Sequence, residues 1–144
     1  VVDIHKLDES VSVAGQPTEA DFAEFARLGF RSVINNRPDG EDGAPGAEEE
    51  AAWAAKYGLE YRHLPMTAAT LSPATVSEFG EALEEMPGPV LAHCRSGTRC
   101  SILWSIDSIG RRGEAVEDVL ETTAAAGYDL SGQLPVILHY ARPD

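Results

Sequence analysis

The run His93-Cys94-Arg95-Ser96-Gly97-Thr98-Arg99 concentrates the reactive side chains of this chain. The apolar Val90-Leu91-Ala92 before it reads as a strand, and Ile102 to Ile106 after it as a buried helix. A cysteine at a strand end, then a Gly-containing loop, then a helix start with an arginine is the layout of a thiolate site. Loop N–H groups and the first helical turn direct their positive ends into one small bowl. A thiol facing that bowl loses its proton readily, because the bowl favours the anion. Arg99 adds a permanent charge and a forked donor suited to an oxyanion. Its cation is unfavourable at a helix N-terminus, which itself points to an anionic companion. Cys94 is therefore the expected nucleophile and Arg99 the expected oxyanion ligand.

The neighbours carry less specific signals. Gly97 is expected to permit a positive-φ turn or a close ligand approach. Ser96 and Thr98 either donate hydroxyls to the site or cap the helix. Arg95 is placed on the rim, where it would select anionic substrates. His93 either tunes the thiol or is a structural histidine under the loop. Arg37 and Asp39 either line the pocket from a neighbouring strand end or form a surface turn. Cys100 is expected in the first helical turn, facing away from Cys94 as a core residue, so no bridge between the two is expected. His5, His63 and His139 lack metal-ligand spacing, and neither a metal nor a cofactor is expected.

The elements that must position these residues follow from periodicity and punctuation. Val11 to Ala14 reads as a strand. Thr18 is a helix N-cap with Asp21 as a capping-box partner, and Phe22, Phe25 and Ala26 follow at helical spacing before Gly29. Arg31 to Asn36 contains a short buried strand, and the Pro-, Gly- and Asp-rich Arg37 to Gly46 a loop. Glu48 to Tyr57 reads as helix and Leu59 to Leu64 as strand. Pro65 to Leu71 reads as loop. Ser72 caps a helix that has Pro73 at its first position and runs to about Met86. Pro89 to His93 is the strand before the reactive loop, and Thr98 to Ile109 the helix after it. Glu114 to Ala126 and Leu130 to Tyr140 complete the set. Trp53 and Trp104 are expected in the core. Alternating strands and helices predict an α/β fold with a mostly parallel central sheet flanked by helices. The reactive loop falls at a carboxyl strand end, where such sheets bind ligands.

With 144 residues the chain is expected to form a single domain, residues 1–144. A net charge of −13 argues against nucleic acid or an anionic membrane as partner, since both need clustered Lys and Arg. Against that background Arg95, Arg99 and Arg37 would form a local basic island. No segment has the length of a membrane span or the pattern of a signal peptide, and a cytoplasmic location is expected.

Three stretches resemble the cysteine-dependent protein tyrosine and dual-specificity phosphatases. Most closely they resemble the small bacterial phosphatase-like domain named after beta-lactamase-hydrolase-like proteins. The stretches are Val13-Ala14-Gly15-Gln16-Pro17, Val33 to Glu41, and His93 to Arg99. The resemblance implies a four- or five-stranded sheet flanked by helices, with Cys94 as nucleophile and Arg99 as oxyanion ligand.

Two departures bear on the reaction. Phosphatases of this kind have five residues between the cysteine and the arginine, whereas Arg95 to Thr98 are four. Cys-Arg-Ser-Gly-Thr-Arg looks instead like the active loop of rhodanese-type sulfurtransferases. The related phosphatases also carry an Asp, as leaving-group acid, in the loop after the strand corresponding to Leu59–Leu64. Here that loop, Pro65 to Leu71, has no Asp or Glu, which leaves Asp39 and Glu41 as substitutes. These departures favour a sulfurtransferase that moves sulfane sulfur through a Cys94 persulfide, from a donor such as thiosulfate to an acceptor thiol. The alternative is a phosphatase that hydrolyses phosphomonoesters through a Cys94 phosphocysteine. A third reading is a non-catalytic module that binds anions or senses oxidation. The expected partners are a small anionic substrate (thiosulfate, persulfide or phosphate ester) and, for sulfur transfer, the acceptor thiol.

Overall fold

The computed structural model describes residues 1–142. Five strands form one sheet in the order β1-β2-β5-β3-β4. They are β1 (Ile4–Lys6), β2 (Val11–Ala14), β3 (Ser32–Asn35), β4 (Glu60–His63) and β5 (Val90–His93). All neighbours pair in parallel except β1, which lies antiparallel against β2. The mostly parallel sheet is as expected from the alternation of elements. β1 is an addition, because three residues at a sheet edge carry no periodic signal of their own.

The central strand β5 is buried along its whole length, as a parallel strand covered on both faces must be. Its side chains alternate between two apolar layers. On one side Leu91 joins Ala14 and Val33 against Phe22 and Phe25 of α1 (Glu19–Arg27) and Ala54 of α2 (Ala47–Lys56). On the other, Val90 and Ala92 join Val13 and Ile34. That layer packs on α3 (Pro73–Glu85), α4 (Thr98–Gly110), α5 (Val116–Ala125) and α6 (Leu134–Ala141) through Phe79, Leu103, Ile106, Val119 and Ile137. Each such large side chain contributes roughly 1.5–3 kcal/mol on burial. Trp104 is buried as expected, whereas Trp53 is only partly buried, packed edge-on against Phe22.

Local signals set the helix ends. Thr18 and Asp21 form the expected capping box, and Ser72 forms another with Thr75. The expected helix from Leu130 divides into a short 3-10 turn, Ser131–Gln133, and α6. Pro135 lies in the first turn of α6, where its missing N–H costs nothing.

Register brings the reactive segments together. Ala14 of β2 and Asn35 of β3 both lie opposite His93 of β5. The chain therefore leaves three adjacent parallel strands at one carboxyl edge. Gly15-Gln16, Asn36-Arg37 and Cys94-Arg95 become spatial neighbours although far apart in sequence.

Candidate active site

Gly97 opens α4 in the left-handed region, with φ of 95°, as its expected positive-φ turn requires. That turn folds the loop back over Cys94. The Gly97 N–H donates to Cys94 Sγ at 3.1 Å. The Cys100 thiol and the N–H groups of Cys100 and Ser96 also favour the anion. The Cys100 thiol acts most strongly, and together these donors outweigh burial and hold the Cys94 thiol down at about 5. Cys94 is only 1 % exposed and borders the apolar layer above the sheet, with the Gly97 N–H as a donor on its sulfur.

Cys100 does not face away from Cys94, as expected, but toward it. Because the helix begins at Thr98, its third residue turns back beneath the loop. Burial pushes the Cys100 thiol well above the ordinary value, and the Cys94 thiolate pushes it further. It therefore remains protonated and acts as a donor. Both cysteines are free thiols.

Arg99 is turned inward. Its Nη1 donates to Glu41 Oε2 at 2.7 Å and to the Met66 carbonyl at 3.0 Å, and its Nη2 donates to Glu41 Oε1 at 2.9 Å. Nε–H and one Nη2–H carry no acceptor among the described residues and are free for a substrate oxyanion. Glu41 is the anionic companion. Arg99 chiefly, with Arg37 behind it, holds its carboxyl at about 2.

Arg37 is not on the rim but 4 % exposed. Its Nε donates to Glu41 Oε1 at 3.0 Å, its Nη1 to Gln16 Oε1 at 3.0 Å and its Nη2 to the Asp42 carbonyl. It supports Glu41 from below rather than presenting itself to a ligand. Asp39 stays outside this network. Its side chain is 61 % exposed, accepts from the Ala47 N–H at the start of α2, and lies 3.8 Å from His63. His93 is fully buried, with Nδ1 3.2 Å from the Cys94 carbonyl and Nε2 2.6 Å from Glu50 Oε1. Gln16 Nε2 also donates to Glu50, at 2.9 Å.

Arg95 is exposed at the loop tip, as expected. Ser96 and Thr98 hydroxyls lie 3.1 Å from each other, and α4 has no side-chain N-cap. Gly15 lets the strands come this close. A Cβ there would stand 2.9 Å from the Arg95 carbonyl, which accepts from the Gln16 N–H at 3.2 Å.

Sequence reasoning singled out Cys94, Arg99 and Gly97 as neighbours. It missed Gln16 and Glu50 and treated Glu41 only as a substitute acid. The cation of Arg99 at a helix start was the one local sign that an anion had to lie opposite it. Among the described residues no group of three or more His, Cys, Asp or Glu could hold a metal ion. No described helix is long and apolar enough to cross a membrane.

A thiolate in a ring of amides at the end of a central parallel strand, with a guanidinium beside it, is the arrangement of cysteine-dependent phosphatase-like folds. The family profile described as the phosphatase-like domain of beta-lactamase hydrolase-like proteins matches residues 3–111, and the chain belongs to that family. A beta-lactamase hydrolase-like protein of Agrobacterium fabrum is 36 % identical over 132 residues, covering 87 % of this chain and 29 % of its own length. One of Xylella fastidiosa is 38 % identical over 126 residues, covering 86 % of this chain and again 29 % of its own length. This chain thus spans less than a third of those relatives. A crystal structure from Neisseria meningitidis, described as a candidate phosphatase, superimposes with a TM-score of 0.85. It is 34 % identical and covers 96 % of this chain and 98 % of its own. TpbA of P. aeruginosa, solved in complex with pTyr, shares the fold with a TM-score of 0.71 at 19 % identity, covering 97 % of this chain and 83 % of its own.

Proposed function

We propose that the chain is a cysteine-dependent phosphomonoester hydrolase whose nucleophile is Cys94. The carrying observation is the Cys94 sulfur at the end of the central strand, taking the Gly97 N–H at 3.1 Å at the start of α4, in the loop that leads to a half-free Arg99. The phosphatase-like family and the candidate phosphatase from Neisseria meningitidis support this chemistry over the sulfur transfer favoured by the short loop and the missing acid. The Cys94 thiolate attacks phosphorus while Arg99 and the loop amides hold the non-bridging oxygens. The P–O bond breaks with its electron pair on the leaving oxygen. Water then attacks the phosphocysteine, the S–P bond breaks, and the thiolate is restored as the water proton passes to solvent.

No protein acid protonates the leaving oxygen in this scheme. Pro65 to Leu71 holds no carboxyl group, Glu41 is ionised down to about 2, and Asp39 is bound elsewhere. Substrates with good leaving groups, such as aryl phosphates, are therefore preferred over alkyl esters.

Sulfane-sulfur transfer remains the second reading, and the same missing acid favours it. The thiolate would attack the outer sulfur of thiosulfate and expel sulfite with the electron pair of the S–S bond. An acceptor thiolate would then take the outer sulfur and restore Cys94.

One preparation assayed both ways separates the readings: aryl phosphate hydrolysis, and sulfur transfer from thiosulfate to a thiol. The phosphatase reading expects phosphate release that is lost in Cys94→Ser, with a trappable phosphocysteine. Sulfur transfer with no phosphate release would overturn it, and phosphate release surviving in Cys94→Ser would remove Cys94 as nucleophile.

A further inference from the structure

Tyr128 lies far from the reactive loop in sequence, in the turn after α5. The helix ends in a Schellman motif: the Gly127 N–H donates to the Ala124 carbonyl and the Tyr128 N–H to the Thr123 carbonyl at 2.8 Å. Gly127 takes a φ of 104°, which turns the chain back toward the sheet edge. The Tyr128 ring then meets the edge of the His5 ring at a centroid distance of 5.3 Å. Its hydroxyl reaches the loop and donates to the Ser96 carbonyl at 3.0 Å. Only glycine leaves room for this approach, because a Cβ at residue 97 would collide with the Tyr128 hydroxyl oxygen.

The Ser96 carbonyl and the Gly97 N–H belong to one peptide unit. In a trans peptide these groups point in opposite directions. A hydroxyl that pins the carbonyl outward therefore aims the N–H inward, onto Cys94 Sγ 3.1 Å away. A left-handed glycine beside this peptide makes the reversed orientation accessible, since glycine tolerates either hand. Reversal would turn a carbonyl oxygen toward the sulfur and take an amide donor away. We propose that Tyr128 is a positioning residue, whose hydroxyl locks the Ser96–Gly97 peptide in the orientation that keeps the anion bowl closed around Cys94. Burial holds the Tyr128 hydroxyl up at about 12, with the nearby thiols adding to the effect, so it stays a donor across the working range.

This inference rests on Cys94 as the nucleophile and not on which of the two reactions it performs. The test is Tyr128→Phe, which removes the hydroxyl and keeps the ring against His5. The first readout is the pH dependence of Cys94 alkylation by iodoacetamide, followed on the Cys94 peptide by mass spectrometry. Losing one amide donor to a thiolate is expected to raise the midpoint by about one pH unit. Turnover of an aryl phosphate is expected to fall about fivefold at pH 5 and about twofold at pH 6, with KM changed less than twofold and the loss recovered at higher pH. Tyr128→Leu, run alongside, removes the ring as well. An unchanged alkylation midpoint in Tyr128→Phe overturns the proposal, and so does a shift that appears only in Tyr128→Leu, which would assign the effect to packing. Cys94→Ser reports separately on the nucleophile. The Tyr128→Phe midpoint reports on the peptide whatever the reaction.

Discussion

At Cys94 the competition is between burial, which favours the neutral thiol, and donors, which favour the anion. The donors win because the Cys100 thiol and three amides converge on one sulfur. Cys100→Ala should therefore raise the midpoint of Cys94 alkylation above about 5, by about one unit, whereas Cys100→Ser, which keeps a hydroxyl donor, should raise it less. Equal midpoints in the three proteins would show that the amides alone ionise the sulfur. The role of Arg99 also depends on a partner. Glu41 occupies one edge of the guanidinium and leaves the other edge for substrate. The placement of Cys94, Gly97 and Arg99 together was legible in the sequence because a strand end, a left-handed turn and a helix start lie within six residues. Arg37 and Asp39 were legible only as candidates. Their separation into a buried support and an exposed cap for α2 depends on which way a Pro- and Gly-rich loop folds.

At the scale of elements, the site is a consequence of three parallel strands ending level. Gly15 is where β2 allows the loop after β5 to come within hydrogen-bond reach. Gly15→Ala would drive a methyl group against the Arg95 carbonyl, a backbone atom that cannot rotate away. Turnover should fall at least about tenfold while the melting temperature changes little, since the strain falls on the loop and not on the core. Wild-type turnover in that variant would mean that the loop yields without disturbing the bowl. The helix caps act on stability instead. Thr18→Ala removes the side-chain half of a reciprocal cap and should cost about 1 kcal/mol in urea unfolding, with activity unchanged. The caps were readable from four-residue strings because their hydrogen bonds are local. β1 was not readable, since three residues form a strand only when β2 is already in place to pair with them.

For the whole molecule, two shifted groups link stability to pH. Glu41 has its folded value depressed from 4.5 to about 2. Its contribution is fully present above 4.5 and is lost as pH falls toward 2. Cys94 is depressed from 9.0 to about 5, so its contribution is complete above 9 and fades as pH falls to 5. Urea midpoints of the native protein should therefore rise between pH 5 and 9, and Cys94→Ser should flatten that rise. Parallel curves for the two proteins would show that Cys94 is not ionised in the folded state. Cys100 cannot produce the effect, because its thiol stays neutral throughout that window. Of the function, the sequence carried the thiolate chemistry and the family resemblance. It placed sulfur transfer first on the length of one loop and the lack of an acid in another, whereas the relatives give more support to phosphate chemistry.

By itself the sequence determined what is written locally. Strand, glycine turn and helix start lie within a few residues of Cys94, and their hydrogen bonds close over short distances, so residue types alone specify them. The tertiary structure decided what faces that cysteine. Gln16, Glu41, Glu50 and Tyr128 come from separate segments and meet the loop because the strands stack as β1-β2-β5-β3-β4. That order is a property of how two apolar layers close on one sheet, and no short window of residues encodes it.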